Sequence, residues 1–226
     1  MGRGRMNNGY RIATLVLAVS LTGGCATTLP TPELKVAPAD ITYLSVSMAD
    51  QPIGLYMTEI VAGGALGSAI NGNNRSQSRE LWEKVKTDDR AQSLPKRLRE
   101  QIIARAKGKG VTLADAEVLK GRSLTANEQK ISVVNAMMQY RATTWVSTYA
   151  PVGAAVIESS RDPAVPQGQQ RTARMVTVRV DDGRYSFLTA GGVLEDPSKT
   201  VDGAVLAADA LAERIADDLA KAQSKQ

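Results

Sequence analysis

RATTWVSTYAPVGAAVIESS, residues 141–160, is where the chain changes its period. Before it, apolar residues recur every three or four positions; from Arg141 onward they alternate, the pattern of a half-buried strand. Arg141–Tyr149 and Ala154–Ser159 therefore read as strands, with Pro151-Val152-Gly153 as the turn between them. Working outward toward the C-terminus, residues 161–170 (RDPAVPQGQQ) form a loop. Thr172–Val180 (TARMVTVRV) and Arg184–Thr189 then make a hairpin over Asp181-Asp182-Gly183. A closing helix spans about Gly203 to Ala222, with Ala204, Ala208, Leu211, Ile215, Leu219 and Ala222 as its core stripe.

Toward the N-terminus, Thr125-Ala126-Asn127-Glu128 fits a capping box. The spacing of Ile131, Val134 and Met138 predicts a helix behind it. Ala116–Leu119 reads as a weak strand. Leu94–Lys107 is a helix, with Leu94, Leu98 and Ile102 on one face and Gly108 and Gly110 past its end. Arg79–Lys86 is a second helix, and Ile41–Met48 (ITYLSVSM) a first strand. One strand, a helical stretch, a run of strands and a final helix describe an α+β domain. It has one mostly antiparallel sheet and helices packed on one face.

Composition excludes several chemistries. The 226 residues contain no histidine, which removes imidazole bases, the Ser-His-Asp triad and imidazole-bound metals. A single cysteine, Cys25, permits no intrachain disulfide, no Cys-x-x-Cys pair and no thiolate zinc cage. Aromatic residues are 4% of the chain, too few for a base-stacking platform. No cofactor is expected.

The first 24 residues read as an export signal, not as part of the fold. Arg3, Arg5 and Arg11 precede the apolar run Ile12–Leu21 (IATLVLAVSL), which is shorter than the roughly 20 residues of a membrane span. The run ends in Leu21-Thr22-Gly23-Gly24-Cys25. This ending resembles the lipobox of bacterial lipoproteins, although that family usually has leucine where this chain has Thr22. The resemblance implies that the Cys25 sulfur takes a diacylglyceryl group. A dedicated peptidase, recognising Leu21 to Gly24, then cuts before Cys25, and the new amine is acylated. The small residues let an extended backbone enter that protease. An ordinary secretory signal with a chance cysteine is the alternative.

Residues 25–40 then form the lipidated cysteine and a tether with Pro30, Pro32 and Pro38, and residues 41–226 a single domain facing the periplasm. Removing residues 1–24 leaves 25 basic against 23 acidic residues, a net charge of +2 in place of +5. The high isoelectric point thus partly belongs to the discarded signal, and nucleic acid is not an expected partner. Ala26 after the cysteine leans toward the outer membrane, since the enterobacterial members of the family use aspartate there for inner-membrane retention. The fold order is also similar to small α/β domains of several envelope lipoproteins, although no motif anchors that likeness.

Two stretches are candidate interaction sites. In IVAGGALGSAING, residues 60–72, Gly63 and Gly67 with Gly64 and Ser68 form a small-residue face. Such a face can drive homo-oligomerisation or membrane insertion, but Glu59 would be costly in a bilayer and a tightly packed buried helix explains it as well. Lys96, Arg97, Arg99, Arg105, Lys107 and Lys109 form a basic stretch, opposed by Glu100 alone, that can contact an anionic surface. A solvated helix face explains that stretch as well. The acidic pairs Asp88-Asp89, Asp181-Asp182, Glu195-Asp196 and Asp217-Asp218 read as turn or exposed-face residues, not as tuned catalytic carboxylates. Trp82, Trp145, Tyr149 and Phe187 read as core anchors.

The chain is therefore expected to be a non-enzymatic, lipid-anchored envelope protein whose domain binds another envelope protein. The alternatives are a self-assembling or membrane-inserting lipoprotein acting through Gly63/Gly67, and an enzyme using carboxylates or serine.

Overall fold

In a computed structural model, residues 34, 39–56, 76–125, 127–142, 148–161 and 172–224 are described. All of them fall in the compact unit Thr31–Gln226. Five strands form one sheet: β1 (Ile41–Tyr56), β2 (Leu113–Asp115), β3 (Glu128–Arg141), β4 (Ala150–Arg161) and β5 (Thr172–Arg179), in the order β2-β1-β3-β4-β5. The helices are α1 (residues 76–85), α2 (Asp89–Gln92), α3 (Leu94–Gly108), α4 (Ala190–Glu195) and α5 (Pro197–Gln223). The architecture is α+β with helices against one face of the sheet. The sheet is mixed: β1 runs parallel to β2 and β3, while β3–β4 and β4–β5 are antiparallel.

Alternation along the strands separates two faces. Leu44, Ile53, Ile131, Val133, Met138, Ile157 and Val176 point toward the helices and are buried. Against them lie Leu94, Leu98, Ile102 and Ala106 of α3 and Ala204, Ala208, Leu211, Ile215 and Leu219 of α5. The i, i+4 spacing of these residues is what makes each helix bury one stripe. Both long helices carry a proline in their first two positions, Pro95 in α3 and Pro197 in α5, and the Asp196 side chain accepts a hydrogen bond from the Lys199 amide to cap α5. Leu34 also belongs to the core at 6% exposure.

Several elements differ from their reading in the sequence. Glu128–Arg141 is the central strand β3, not a helix. The helical spacing of Ile131, Val134 and Met138 arises from a bulge between Val134 and Met137, where Asn135 takes a φ of 52°. First strand β1 continues through Pro52 and Gly54 to Tyr56, with a register shift between Met48 and Ile53. Edge strand β2 sits at Leu113–Asp115, and Ala116–Leu119 is a 3-10 turn because the Asp115 carboxylate accepts from the Glu117 amide.

Pro151-Val152-Gly153 lies within β4. The hairpin over residues 181–183 does not form. Asp182 caps a 3-10 turn, Gly183–Tyr185, and Phe187 bridges to Tyr149 instead of returning along β5. The helices expected at 79–86, 94–107 and 203–222 are present, the last starting earlier at Pro197.

Since β2 and β3 flank β1 and both run parallel to it, residues 116–127 must cross β1. They do so on the face away from the helices. There the Arg122 guanidinium donates to the Tyr43 hydroxyl at 3.3 Å, and Tyr43, although on the outer face, is only 5% exposed.

Candidate functional site

The basic stretch is the one candidate region that the described residues contain in full. Cys25 with Leu21, Thr22, Gly23 and Gly24, the small-residue face at Gly63, Gly64, Gly67 and Ser68, and Trp145 all lie outside the described residues.

On α3 the six cations divide into two groups. Arg97 forms a two-pronged pair with Asp209 of α5, at 2.9 and 2.7 Å. One turn and more further on, Arg105 pairs with Glu213, and Lys109 reaches Glu213 at 2.7 Å and Asp217 at 2.9 Å. Arg90, just before α3, pairs with Asp202 at 2.6 Å. Both partners advance along their helices in the same direction, so α3 and α5 run parallel and are joined by an ionic ladder. Arg99 turns the other way, to Asp115 at 3.1 Å and to Glu117 on the crossover.

Hydrogen bonds from Lys109 and then Arg105 hold the Glu213 carboxyl below the usual carboxylate range. Each partly exposed rung contributes only about 0–1 kcal/mol. Their direct consequence is that Arg97, Arg99, Arg105 and Lys109 are engaged within the fold. Lys96 is exposed and stands 3.9 Å from Glu100, and Lys107 is exposed.

A second cluster, unseen in the sequence, lies where β1 and β3 begin. Glu128 receives both Arg122 terminal nitrogens at 2.8 Å, the Tyr43 hydroxyl at 3.0 Å and the Thr125 amide at 2.9 Å. The amide contact is half of the capping box read from the sequence, here closing a turn into a strand. The Arg122 hydrogen bonds, followed by that amide, pull the Glu128 carboxyl down to about 2. Burial, then the Glu128 contact, raises the Tyr43 hydroxyl. A carboxylate held that low is a weak base, and a phenol raised above its ordinary range is a weak acid; the cluster fastens the crossover to β1.

Stability should therefore decline as pH falls from the ordinary carboxylate range toward about 2, because the unfolded chain takes up the Glu128 proton first. In urea unfolding at stepped pH, Glu128→Gln should be clearly less stable than the wild type at pH 7, with the gap closing toward pH 2. A gap that stays constant would remove Glu128 as its cause.

The acidic pairs have structural duties. Asp88, Asp182 and Asp196 cap α2, a 3-10 turn and α5, and Asp217 joins the ladder. Asp218 departs from its reading as an exposed residue. It is 3% exposed, between Arg174 at 3.4 Å and Arg214 at 3.6 Å. Tyr149 and Phe187 are buried and Trp82 is packed against the core, as anchors should be. Among the described residues no group of histidine, cysteine or carboxylate side chains is placed to hold a metal ion. No helix among them is long and apolar enough to cross a membrane.

No known family and no curated protein matches the chain. A solved structure described as an uncharacterized protein is similar over 86% of this chain and 97% of its own, at 10% identity and a TM-score of 0.32, a likeness too remote to inform function.

Proposed function

We propose that this chain is a lipid-anchored protein of the bacterial cell envelope, held at the outer membrane and facing the periplasm. Its α+β domain acts as a non-enzymatic binding or assembly-accessory module. The observation that carries the proposal is the position of the chain's sole cysteine. Cys25 stands at the end of a ten-residue apolar run, behind Gly23-Gly24 and ahead of a proline-bearing spacer. Two or more acyl chains suffice for stable anchoring, because each buried methylene contributes about 0.8 kcal/mol. The tether and domain then place a binding surface close to that membrane. Among the described residues, Asp88, Asp182 and Asp196 serve as caps, Asp217 joins the α3–α5 ladder and Glu128 is held by Arg122, which supports the binding reading.

Mass spectrometry of the protein purified from its own membranes is the test. The expected chain begins at Cys25 and carries diacylglyceryl and amide-linked acyl groups, and Cys25→Ala moves the protein from the membrane pellet to the soluble fraction. A mature chain beginning elsewhere, or a free thiol at Cys25, would overturn the proposal.

A further inference from the structure

The two edges of the sheet are unlike. Edge strand β2 has 3 residues and closes at once into the 3-10 turn capped by Asp115. Edge strand β5 has 8 residues, contains no proline or glycine, and pairs with β4 without a register shift. No other strand among the described residues pairs with it. The ladder shows which of its backbone groups face the open side. The Val180 amide donates to the Pro151 carbonyl at 2.9 Å, in step with the pairing of Arg179 and Val152. Successive residues of an antiparallel strand turn their amide and carbonyl groups to opposite sides. Arg174, Val176 and Val178 therefore bond to β4, while Ala173, Met175, Thr177 and Arg179 turn theirs outward.

Charged side chains commonly guard such an edge, but here they are drawn back into the fold. Arg174 lies 3.4 Å from Asp218 of α5 on the helix side, and Arg179 donates to Asp181 at 2.6 Å. On the opposite face Ala173 and Thr177 are exposed, and Met175 is 67% exposed. Met175 ends an apolar row that crosses three strands through Val134 and Val156.

We infer that a second copy of this chain pairs antiparallel with β5 about a two-fold axis at Val176, joining two five-stranded sheets into one. The strand itself selects this register. With Val176 opposite the partner's Val176, Met175 meets the partner's Thr177 and Ala173 meets the partner's Arg179, so the four outward residues satisfy one another. Each large side chain then faces a smaller one, and the apolar row continues through the partner's Thr177 and the partner's Ala154. An axis at Arg174 or Arg179 would instead set like charges directly opposite, which is unfavourable. This self-matching is what favours a second copy over an unrelated extended strand. The contact is isologous and closes at two copies, leaving only the short β2 edges at the ends of the joined sheet. It involves neither Cys25 nor the small-residue stretch, and so does not depend on the anchoring proposed above.

The test compares the full chain in detergent with a Met175→Lys/Thr177→Lys variant, by sedimentation and by hydrogen exchange read amide by amide. The variant keeps every backbone amide but sets lysines directly opposite one another across the axis. The wild type should sediment as two copies and the variant as one. The amides of Ala173, Met175 and Thr177 should exchange several-fold more slowly in the wild type, whereas those of Arg174, Val176 and Val178, already bonded to β4, should be slow in both. Met175→Pro removes an outward amide and none of the β4 ladder, the one kind of strand position that tolerates proline. It should also give a single copy, with a melting temperature close to that of the wild type. A wild type that remains a single copy with fast outward amides overturns the inference. So does a pair that persists in the lysine variant, or one that forms without slowing those amides.

Discussion

Gly203→Ala is expected to cost the domain about 3 kcal/mol or more, lowering the melting temperature by roughly 10 °C for a chain of this size. A methyl group at this helical position points straight at the sheet, and its carbon would sit 1.9 Å from the Tyr140 hydroxyl oxygen. Tyr140 has nowhere to go. Its side chain is 1% exposed, its hydroxyl donates to the Thr200 carbonyl at 3.1 Å, and its ring stands edge-on to Phe187 with centroids 5.4 Å apart. The small gain in helix propensity from alanine, about 1 kcal/mol, is outweighed.

The cause can be isolated with Tyr140→Phe, which deletes the oxygen and leaves the nearest ring carbon 3.1 Å away. In that background the same Gly203→Ala change should cost about 1 kcal/mol or less. Equal losses in both backgrounds, measured by denaturant unfolding, would show that the hydroxyl contact does not set the cost.

Gly203 also shows why the helices were legible and parts of the sheet were not. Helix α5 exposes one side, so the stripe Ala204, Ala208, Leu211, Ile215 stands out against Asp209 and Glu213. Strand β3 is central and its outer face is also partly apolar. Ile131, Val133, Ala136 and Met138 face the helices while Val134 and Met137 face outward, and the bulge at Asn135 shifts the alternation by one residue. Period two is hidden by apolar residues on both sides, and what remains mimics a helix.

The expected hairpin fails for a more local reason. Asp182 spends its carboxylate on the Arg184 amide, which starts a 3-10 turn that carries Phe187 to Tyr149. Among the candidate cations, only the fold reveals which ones are engaged, because Arg97 and Asp209 are 112 positions apart and the parallel course of α3 and α5 is not written in either helix. Glu128 was visible as a local cap, but its contacts with Tyr43 on β1 and Arg122 on the crossover depend on a chain path that no short-range signal announces.

Gly153→Ala should be at least as damaging as the change at Gly203, again about 3 kcal/mol or more, and it should resist rescue. The glycine faces α5 from the middle of the sheet, paired with Met138 on one side and Val178 on the other. Its added carbon would lie 2.7 Å from the Ala207 carbonyl oxygen and 2.9 Å from the Leu211 Cβ. Neither is the movable end of a side chain: one is helix backbone, and the other is an atom that every residue except glycine keeps.

Relief therefore requires α5 to lift from β4. The Asp209 and Glu213 rungs to α3, the Tyr140–Thr200 contact and the buried stripe all oppose that movement. Leu211→Ala shortens the side chain but retains its Cβ, so it should add its own cavity cost, about 2–5 kcal/mol, on top of the Gly153→Ala loss. A Gly153→Ala protein within about 0.5 kcal/mol of the wild type, the range of an ordinary surface change, would mean that α5 does not seat on β4 at this distance. The same result would undercut the close helix–sheet contact that the Gly203 prediction also assumes.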